Sequence, residues 1–214
     1  MQKPLLLVAV TLAFGVTTGA WAQTDRAKPD LAKAQQTVNT VCAACHGADG
    51  NSPSPANPSL AGQGADYLTL QLSHFKDGVR ANPIMAGMAA GLSPEDMKAL
   101  GLYFSQQKPK GMTAKDRELA MLGQKLYRGG NNATGLPACA ACHAPTGVGI
   151  PVRYPRLSGQ RADYTLAQLK AFKSGERGMD KDGKDTNGRV MVQVASKMSD
   201  QEMRAVAEYA AGLH

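Results

Sequence analysis

The sequence carries the same five-residue string twice, and this repetition constrains the fold more than any other feature. Cys-Ala-Ala-Cys-His stands at residues 42–46 and again at residues 139–143, and these strings hold all four cysteines of the chain. Two cysteines separated by two residues and followed at once by histidine are typical of covalent haem attachment. The thiols bind the haem, and the histidine lies within reach of the iron. The sequence therefore predicts two covalently attached haem c groups.

Two other uses of four cysteines fit this pattern less well. An exported protein could form two disulfides, but pairs this close, each followed by histidine, favour haem. A zinc site would need both pairs near one another, about 15–20 residues apart, whereas 93 residues lie between Cys45 and Cys139. We therefore expect the haem thiols to come from Cys42, Cys45, Cys139 and Cys142.

The rest of the chain repeats as well, which indicates two copies of one unit. An offset of 97 residues matches Pro58 to Pro155, Tyr67 to Tyr164 and Phe75 to Phe172. After nine inserted residues the offset becomes 106 and matches Met85 to Met191 and Ser93 to Ser199. We predict a signal peptide over residues 1–22, an N-terminal domain over 23–108 and a C-terminal domain over 109–214.

Each unit is expected to consist of helices joined by loops. Apolar residues recur at helical spacing after Asp66, and Ser93 and Ser199 each begin a helix with an acid three residues later. Further helices are predicted over about 31–40 and 117–128, with the linker over about 106–113. Strand signals are scarce, so the predicted fold class is all-α.

The iron ligands follow from the motifs and from the repeat. His46 and His143 are the expected proximal ligands. Among ten methionines, Met85 and Met191 occupy matching positions, whereas the position that matches Met88 in the second unit holds a valine. A methionine sulfur in the sixth position closes the iron and suits electron transfer. His74 could ligate instead, but its counterpart is alanine, and we expect a solvated helical histidine.

The loop after each histidine contains further candidates. Pro58 and Pro155 each stand twelve residues after their histidine, and we expect their carbonyl groups to accept the second ring N–H of His46 and His143. The second unit also has three arginines where the first has neutral residues, namely Arg153, Arg156 and Arg161. We expect Arg156 to bind a haem propionate and the other two to steer an acidic redox partner.

The first residues predict export to the periplasm. A positive Lys3, an apolar run and the string Ala20-Trp21-Ala22 before polar residues are typical of a cleaved signal peptide. An uncleaved membrane anchor is the alternative.

The haem strings, the Pro-x-Leu-x-Gly-Gln-x-x-x-Tyr strings at 58–67 and 155–164, and the methionine spacing resemble the cytochrome c4 family. The resemblance covers nearly all of the mature chain. It implies two tandem class I cytochrome c domains around a pseudo-twofold axis, with His/Met ligation of both irons. It also implies electron transfer from a donor such as a quinol-oxidising complex toward a terminal oxidase or reductase, and peripheral membrane association in some members. We expect no nucleic-acid partner.

Two other functions remain open at this point. The chain could be the dihaem subunit of a flavocytochrome-type dehydrogenase, which would co-purify with a flavoprotein. It could also be a dihaem peroxidase, but this requires one haem that can open, and the matched methionines argue against it. The sequence therefore favours an electron carrier that is not an enzyme.

Overall fold

The computed structural model describes residues 28–213 of the 214-residue chain. The expected signal peptide, residues 1–22, lies outside the described part, as does His214. The described residues form helices joined by loops, and no strand occurs among them; two isolated bridges pair Asn131 with Leu136 and Ile150 with Tyr154. The all-α prediction is confirmed.

The same sequence of helices occurs in both units. The first unit contains α1 (Leu31–Thr37), a π-helical turn (Val38–Cys42), α2 (Ala43–His46), α3 (Ala65–Lys76), α4 (Pro83–Ala90) and α5 (Pro94–Ser105). The second unit contains α6 (Arg117–Gly129), α7 (Ala140–His143), α8 (Ala162–Ser174), α9 (Thr186–Ala195) and α10 (Asp200–Gly212).

The last helix of each unit begins with a capping box. The Ser93 hydroxyl accepts from the backbone N–H of Asp96 at 3.1 Å, and the Asp96 carboxylate accepts from the Ser93 N–H at 3.1 Å. Ser199 and Glu202 exchange the same two bonds at 3.3 and 2.7 Å. These contacts satisfy amide donors that have no partner inside the helix. The two predicted helix starts are confirmed.

A close helix contact organises the core of the second unit. A Cβ added to Gly123 on α6 would stand 2.0 Å from the Ala205 carbonyl oxygen on α10, so only glycine lets the two backbones approach this closely. Tyr127, one turn further along α6, and Met203 on α10 are fully buried beside this contact. The α6–α10 pair therefore fixes the frame: α8 packs against α10, and α9 packs against α8.

The first unit reaches a similar frame with different residues. Ala34 on α1 and Val38 at the start of the π-helical turn are buried, and they pack with Leu100 and Phe104 of α5. Its backbone contact lies elsewhere, because a Cβ on Gly101 would stand 2.5 Å from the Ala65 carbonyl oxygen on α3. The two units thus share a helix order but use different pairs of helices for their tightest approach.

The segment between the units, residues 106–116, contains no helix. Its first part is fastened to the first unit, where the Asn51 side chain accepts from the Lys110 N–H at 2.8 Å and donates to the Lys108 carbonyl oxygen at 3.1 Å. An ion pair between Lys110 and Asp49 at 2.8 Å adds to this attachment. These contacts fix the direction in which the chain leaves the first unit.

Candidate haem sites

The first cysteine string folds so that its three functional residues share one side of a helix. Cys42 ends the π-helical turn, and Cys45 and His46 follow three and four residues later. Residues at this spacing are neighbours on a helical surface. His46 is buried, and its Nδ1 atom lies 2.9 Å from the Pro58 carbonyl oxygen.

The second string repeats this geometry. His143 is buried at the end of α7, and its Nδ1 atom lies 2.9 Å from the Pro155 carbonyl oxygen. The chain then turns at Ala144, which has a positive φ of 67° where the first unit has Gly47 at 78°. The Tyr127 hydroxyl donates to the Ala144 carbonyl oxygen at 2.8 Å and holds this turn in place.

The carbonyl contact fixes which ring nitrogen of each histidine carries the proton. A carbonyl oxygen only accepts, so Nδ1 must donate, and the lone pair is left on Nε2. Burial lowers the pKa of His46 and His143, and the contact with Pro58 or Pro155 only partly offsets this effect. Both rings are therefore held neutral, which is the form that binds a metal.

A large apolar cavity in the second unit joins its sulfur and imidazole groups. Cys139, Cys142, His143 and Met191 all line it, and apolar side chains supply most of the remaining wall. Three residues of the first unit also line it, namely Tyr67, Leu70 and Gln71. The wall of this site is therefore shared between the two units.

The cavity fits haem in its polar atoms as well as in its apolar wall. Thr165 Oγ1 and Arg177 Nε are buried without a hydrogen-bond partner, and both residues line the cavity. An apolar macrocycle with two carboxylates would cover the wall and supply acceptors for such donors. Burial also raises the pKa of the Cys139 thiol to about 11.

The two expected methionine ligands occupy matching helices. Met191 lies on α9, packs against the core of the second unit and faces the cavity that contains His143. Met85 lies half-buried on α4, where its N–H donates to the side chain of Asn82, the cap residue, at 2.9 Å. Met88, one turn later, is half exposed. Ligation by Met85 and Met191 stays a prediction.

The interface between the units contains reciprocal hydrogen bonds. Gln63 accepts from the backbone N–H of Arg156 and donates to its carbonyl oxygen, at 2.8 and 3.0 Å. Gln160 makes the same two bonds with Ser59, at 2.8 and 2.9 Å. Gln63 and Gln160 occupy matching positions in the two units, and so do their partners, Ser59 and Arg156. The two contacts are therefore symmetric, as expected for two units related by a pseudo-twofold axis.

Two buried arginines complete this interface, and the sequence analysis missed them. Arg80 donates to Gln71 of its own unit and to Tyr164 and Gln168 of the other, at 2.7, 2.9 and 2.8 Å. Arg177 makes the equivalent bonds to Gln168, Tyr67 and Gln71, at 2.7, 3.0 and 3.1 Å. The signal was available, because the offset of 97 residues also matches Arg80 to Arg177.

The three arginines of the second His–Pro loop do not form one exposed patch. Arg153 is exposed and lines the rim of the cavity. The Arg156 side chain is half-buried and donates to the Ser158 carbonyl oxygen at 3.1 Å. The Arg161 guanidinium donates to the Ser52 carbonyl oxygen of the first unit. The prediction that Arg161 steers a partner assumed a free side chain. This assumption is wrong, because the side chain is bound in the interface between the units.

The expectation for His74 was also wrong. His74 is buried near the end of α3, and its Nδ1 atom has no hydrogen-bond partner. The prediction rested on the alanine at the matching position of the second unit, Ala171, which carries no information about what surrounds His74.

Comparison with known proteins gives one consistent picture. A family model described as cytochrome c matches residues 31–108 and 120–213. The chain is 43% identical to cytochrome c4 of Pseudomonas aeruginosa over 211 residues, 98% of each protein. It is 37% identical to a thiosulfate dehydrogenase electron acceptor of Thiomonas intermedia, over 99% of this chain and 91% of that protein. The crystal structure of reduced recombinant cytochrome c4 from Pseudomonas stutzeri matches with a TM-score of 0.80 and 43% identity, over 87% of this chain and 100% of that one.

Proposed function

The chain belongs to the cytochrome c4 family of dihaem electron-transfer proteins, and on this basis we propose that it shuttles electrons in the periplasm toward a terminal oxidase or reductase. Two covalently bound haem c groups are its cofactors. We propose that it is a carrier and not an enzyme. Its partners are redox proteins, and we propose a quinol-oxidising complex as donor.

The chain's own residues would hold each haem in a defined way. Cys42 and Cys45 would bind the first haem, and Cys139 and Cys142 the second. When bound, each haem supplies an iron that exchanges one electron. His46 and His143 would present Nε2 to the iron, because Pro58 and Pro155 accept the proton on Nδ1.

The second protein ligand of each haem would decide between electron transfer and ligand chemistry. We propose Met85 and Met191 for this role, because they stand on matching helices eight residues before the two capping serines. A sulfur ligand excludes water and peroxide from the iron and favours the reduced state. Both sites would then serve electron transfer alone.

The domain limits and the location belong to the same proposal. We propose domains over residues 23–108 and 109–214, after removal of residues 1–22 on export. Among the residues that the structure describes, no helix is both long and apolar enough to cross a membrane. We propose that the mature protein meets a membrane-bound oxidase from the periplasmic side, with peripheral contact.

One observation carries the proposal most directly: each unit contains a buried histidine with its Nδ1 atom 2.9 Å from a proline carbonyl oxygen, beside two cysteines. The test is to mix the reduced holoprotein with membranes of its source bacterium and follow haem oxidation under oxygen. We expect rapid oxidation that an inhibitor of the terminal oxidase blocks. Oxidation no faster than in buffer would contradict the proposal.

A second candidate is supported by the relative that accepts electrons from thiosulfate dehydrogenase. In this case the protein would receive electrons from a periplasmic dehydrogenase, as the dihaem partner or subunit of that enzyme. Reduction of the oxidised protein by periplasmic extract with thiosulfate would support this role. Co-purification of a flavoprotein would instead indicate a flavocytochrome.

A further inference from the structure

One loop of the second unit exposes apolar side chains that the first unit lacks. In this apolar loop, residues 147–153, the exposed fractions are 51% for Val148, 42% for Ile150 and 61% for Val152. The first unit has Asn51, Pro53 and Pro55 at these positions. Three neighbouring exposed apolar side chains on a soluble domain indicate an interaction site.

The apolar loop is held rigidly to the haem-binding histidine. The Gly149 N–H donates to the His143 carbonyl oxygen at 3.0 Å, and Ile150 and Tyr154 exchange two backbone bonds of 3.0 Å. Pro155, directly after this pair, accepts the Nδ1 proton of His143. A protein bound on the apolar loop would therefore be held close to His143, the proposed histidine ligand of the second haem.

The apolar loop also lies at the rim of the second haem cavity. Arg153 and Tyr154 line that cavity, as does Val190, which precedes Met191 and is half exposed. Arg153, the last residue of the apolar loop, thus places the end of this loop at the cavity wall. A partner that covers it would approach the haem and not a remote face.

The chain segment that contains the apolar loop carries charge of one sign. From His143 to Arg161 the chain contains three arginines and no Asp or Glu. Arg156 donates to a carbonyl oxygen of its own unit and Arg161 to one of the first unit, whereas Arg153 is exposed. An apolar centre beside an exposed arginine is complementary to an apolar patch bordered by carboxylates.

We propose that the apolar loop, with Arg153 at its edge, is the surface on which a redox protein docks at the second haem site. The partner presents an apolar patch bordered by Asp or Glu. Burial of the three apolar side chains holds the complex, and Arg153 orients the encounter. This inference rests on the proposed function, because it names the surface that electron transfer uses.

Three variants separate these contributions. The triple variant Val148→Asn, Ile150→Ser, Val152→Ser removes the apolar surface without adding charge. Arg153→Gln removes the cation. Met121→Gln is the matched control, since Met121 is 49% exposed and lies on α6. Haem content should be unchanged in all three. Both reduction potentials and oxidation by ferricyanide should be unchanged in the triple variant and in Met121→Gln, because these changes remove no charge and touch no proposed haem ligand.

The readout is the second-order rate at which membranes of the source bacterium oxidise each reduced protein, measured from low to high salt. We expect the triple variant to lose about tenfold in rate at every salt concentration, as hot-spot removal does. Arg153→Gln should slow the reaction at low salt only and flatten the salt dependence. Met121→Gln should match the original protein. A triple variant that is no slower than Met121→Gln would overturn the proposal.

Two further arms keep the result interpretable. If the loss reflects binding to lipid, vesicles of phosphatidylglycerol and phosphatidylethanolamine without protein will bind the original protein and not the triple variant, which overturns a protein partner. If membranes do not oxidise the original protein at all, the proposed function fails. The variants are then compared in reduction by periplasmic extract with thiosulfate, and a normal rate for the triple variant there would also overturn the docking surface.

Discussion

Arg80 of the first unit donates a hydrogen bond to the Tyr164 hydroxyl of the second unit at 2.9 Å. In the matching pair, Arg177 of the second unit donates to the Tyr67 hydroxyl of the first unit at 3.0 Å. Both arginines are buried, and each stacks over the phenylalanine ring of its own unit, Phe75 or Phe172. The two units are therefore joined by buried polar groups and not only by the linker.

This interface predicts a large stability loss when one arginine is removed. Arg177→Met removes the donor to the Tyr67 hydroxyl and leaves the side-chain oxygens of Gln71 and Gln168 with Arg80 alone, and a buried group left without a partner costs about 1–3 kcal/mol. After partial rearrangement we expect about 2–4 kcal/mol off the free energy of unfolding in urea. Arg204→Met on the exposed face of α10 is the control and should change it by less than about 0.5 kcal/mol. Equal effects of the two changes would contradict the account of the interface.

The methionine assignment predicts which side chain closes each iron. Met85→Leu should let carbon monoxide bind to one reduced haem, and Met191→Leu should do so for the other, because leucine offers no donor atom. Met88→Leu is the control and should leave both haems closed. The measurement is the visible spectrum of each reduced protein with and without carbon monoxide. A Met85→Leu protein with two closed haems would show that another residue is the ligand.

The contact between α6 and α10 predicts opposite effects for two glycines of one helix. Gly123→Ala places a Cβ against the Ala205 carbonyl oxygen, and overpacking of this kind costs about 1–3 kcal/mol. Gly129, at the end of the same helix, has open space around its Cβ position. Gly129→Ala should be neutral or stabilising by up to about 1 kcal/mol. Thermal unfolding of the holoproteins measures both, and a Gly123→Ala protein as stable as Gly129→Ala would refute the close contact.

The buried His74 predicts a dependence of stability on pH. Burial lowers the pKa of His74, with Arg177 and Arg80 acting in the same direction and Asp185 and Asp180 opposing them. Below about pH 6.5 the unfolded chain takes up a proton that the folded protein does not, so stability falls as pH falls toward the folded-state pKa. The slope from this group is at most about 1.4 kcal/mol per pH unit.

His74→Ala should remove this slope, and alanine is already present at the matching position of the second unit, Ala171. Urea unfolding at pH 7.5 and at pH 5.5 gives the comparison. We expect the original protein to lose more stability than the variant between these two values. An unchanged pH dependence in the variant would mean that other groups cause the acid sensitivity.

Local patterns were enough to predict much of this molecule. The capping boxes at Ser93 and Ser199 depend only on neighbouring residues, so the sequence located both helix starts. The His–Pro contacts also follow from short spacing within one loop, and the repeat made that spacing visible twice.

Contacts between the units could not be predicted in the same way. His74 was expected to face solvent and is buried, and the Arg161 side chain, which was expected to steer a partner, donates to a carbonyl oxygen of the other unit. Arg80 and Arg177 look like ordinary charged residues until the units are placed together. Their guanidinium groups donate to tyrosine and glutamine oxygens 84–110 residues away in sequence, and no local pattern encodes such a partner.

A reductive titration of the purified holoprotein, followed by its visible spectrum, tests the central claim most directly. The account predicts that each chain takes up two electrons in two reversible one-electron steps, each of which changes the spectrum of a methionine-ligated haem c. Uptake of a single electron per chain, or a step whose spectrum lacks methionine ligation, would contradict an electron carrier with two closed haems.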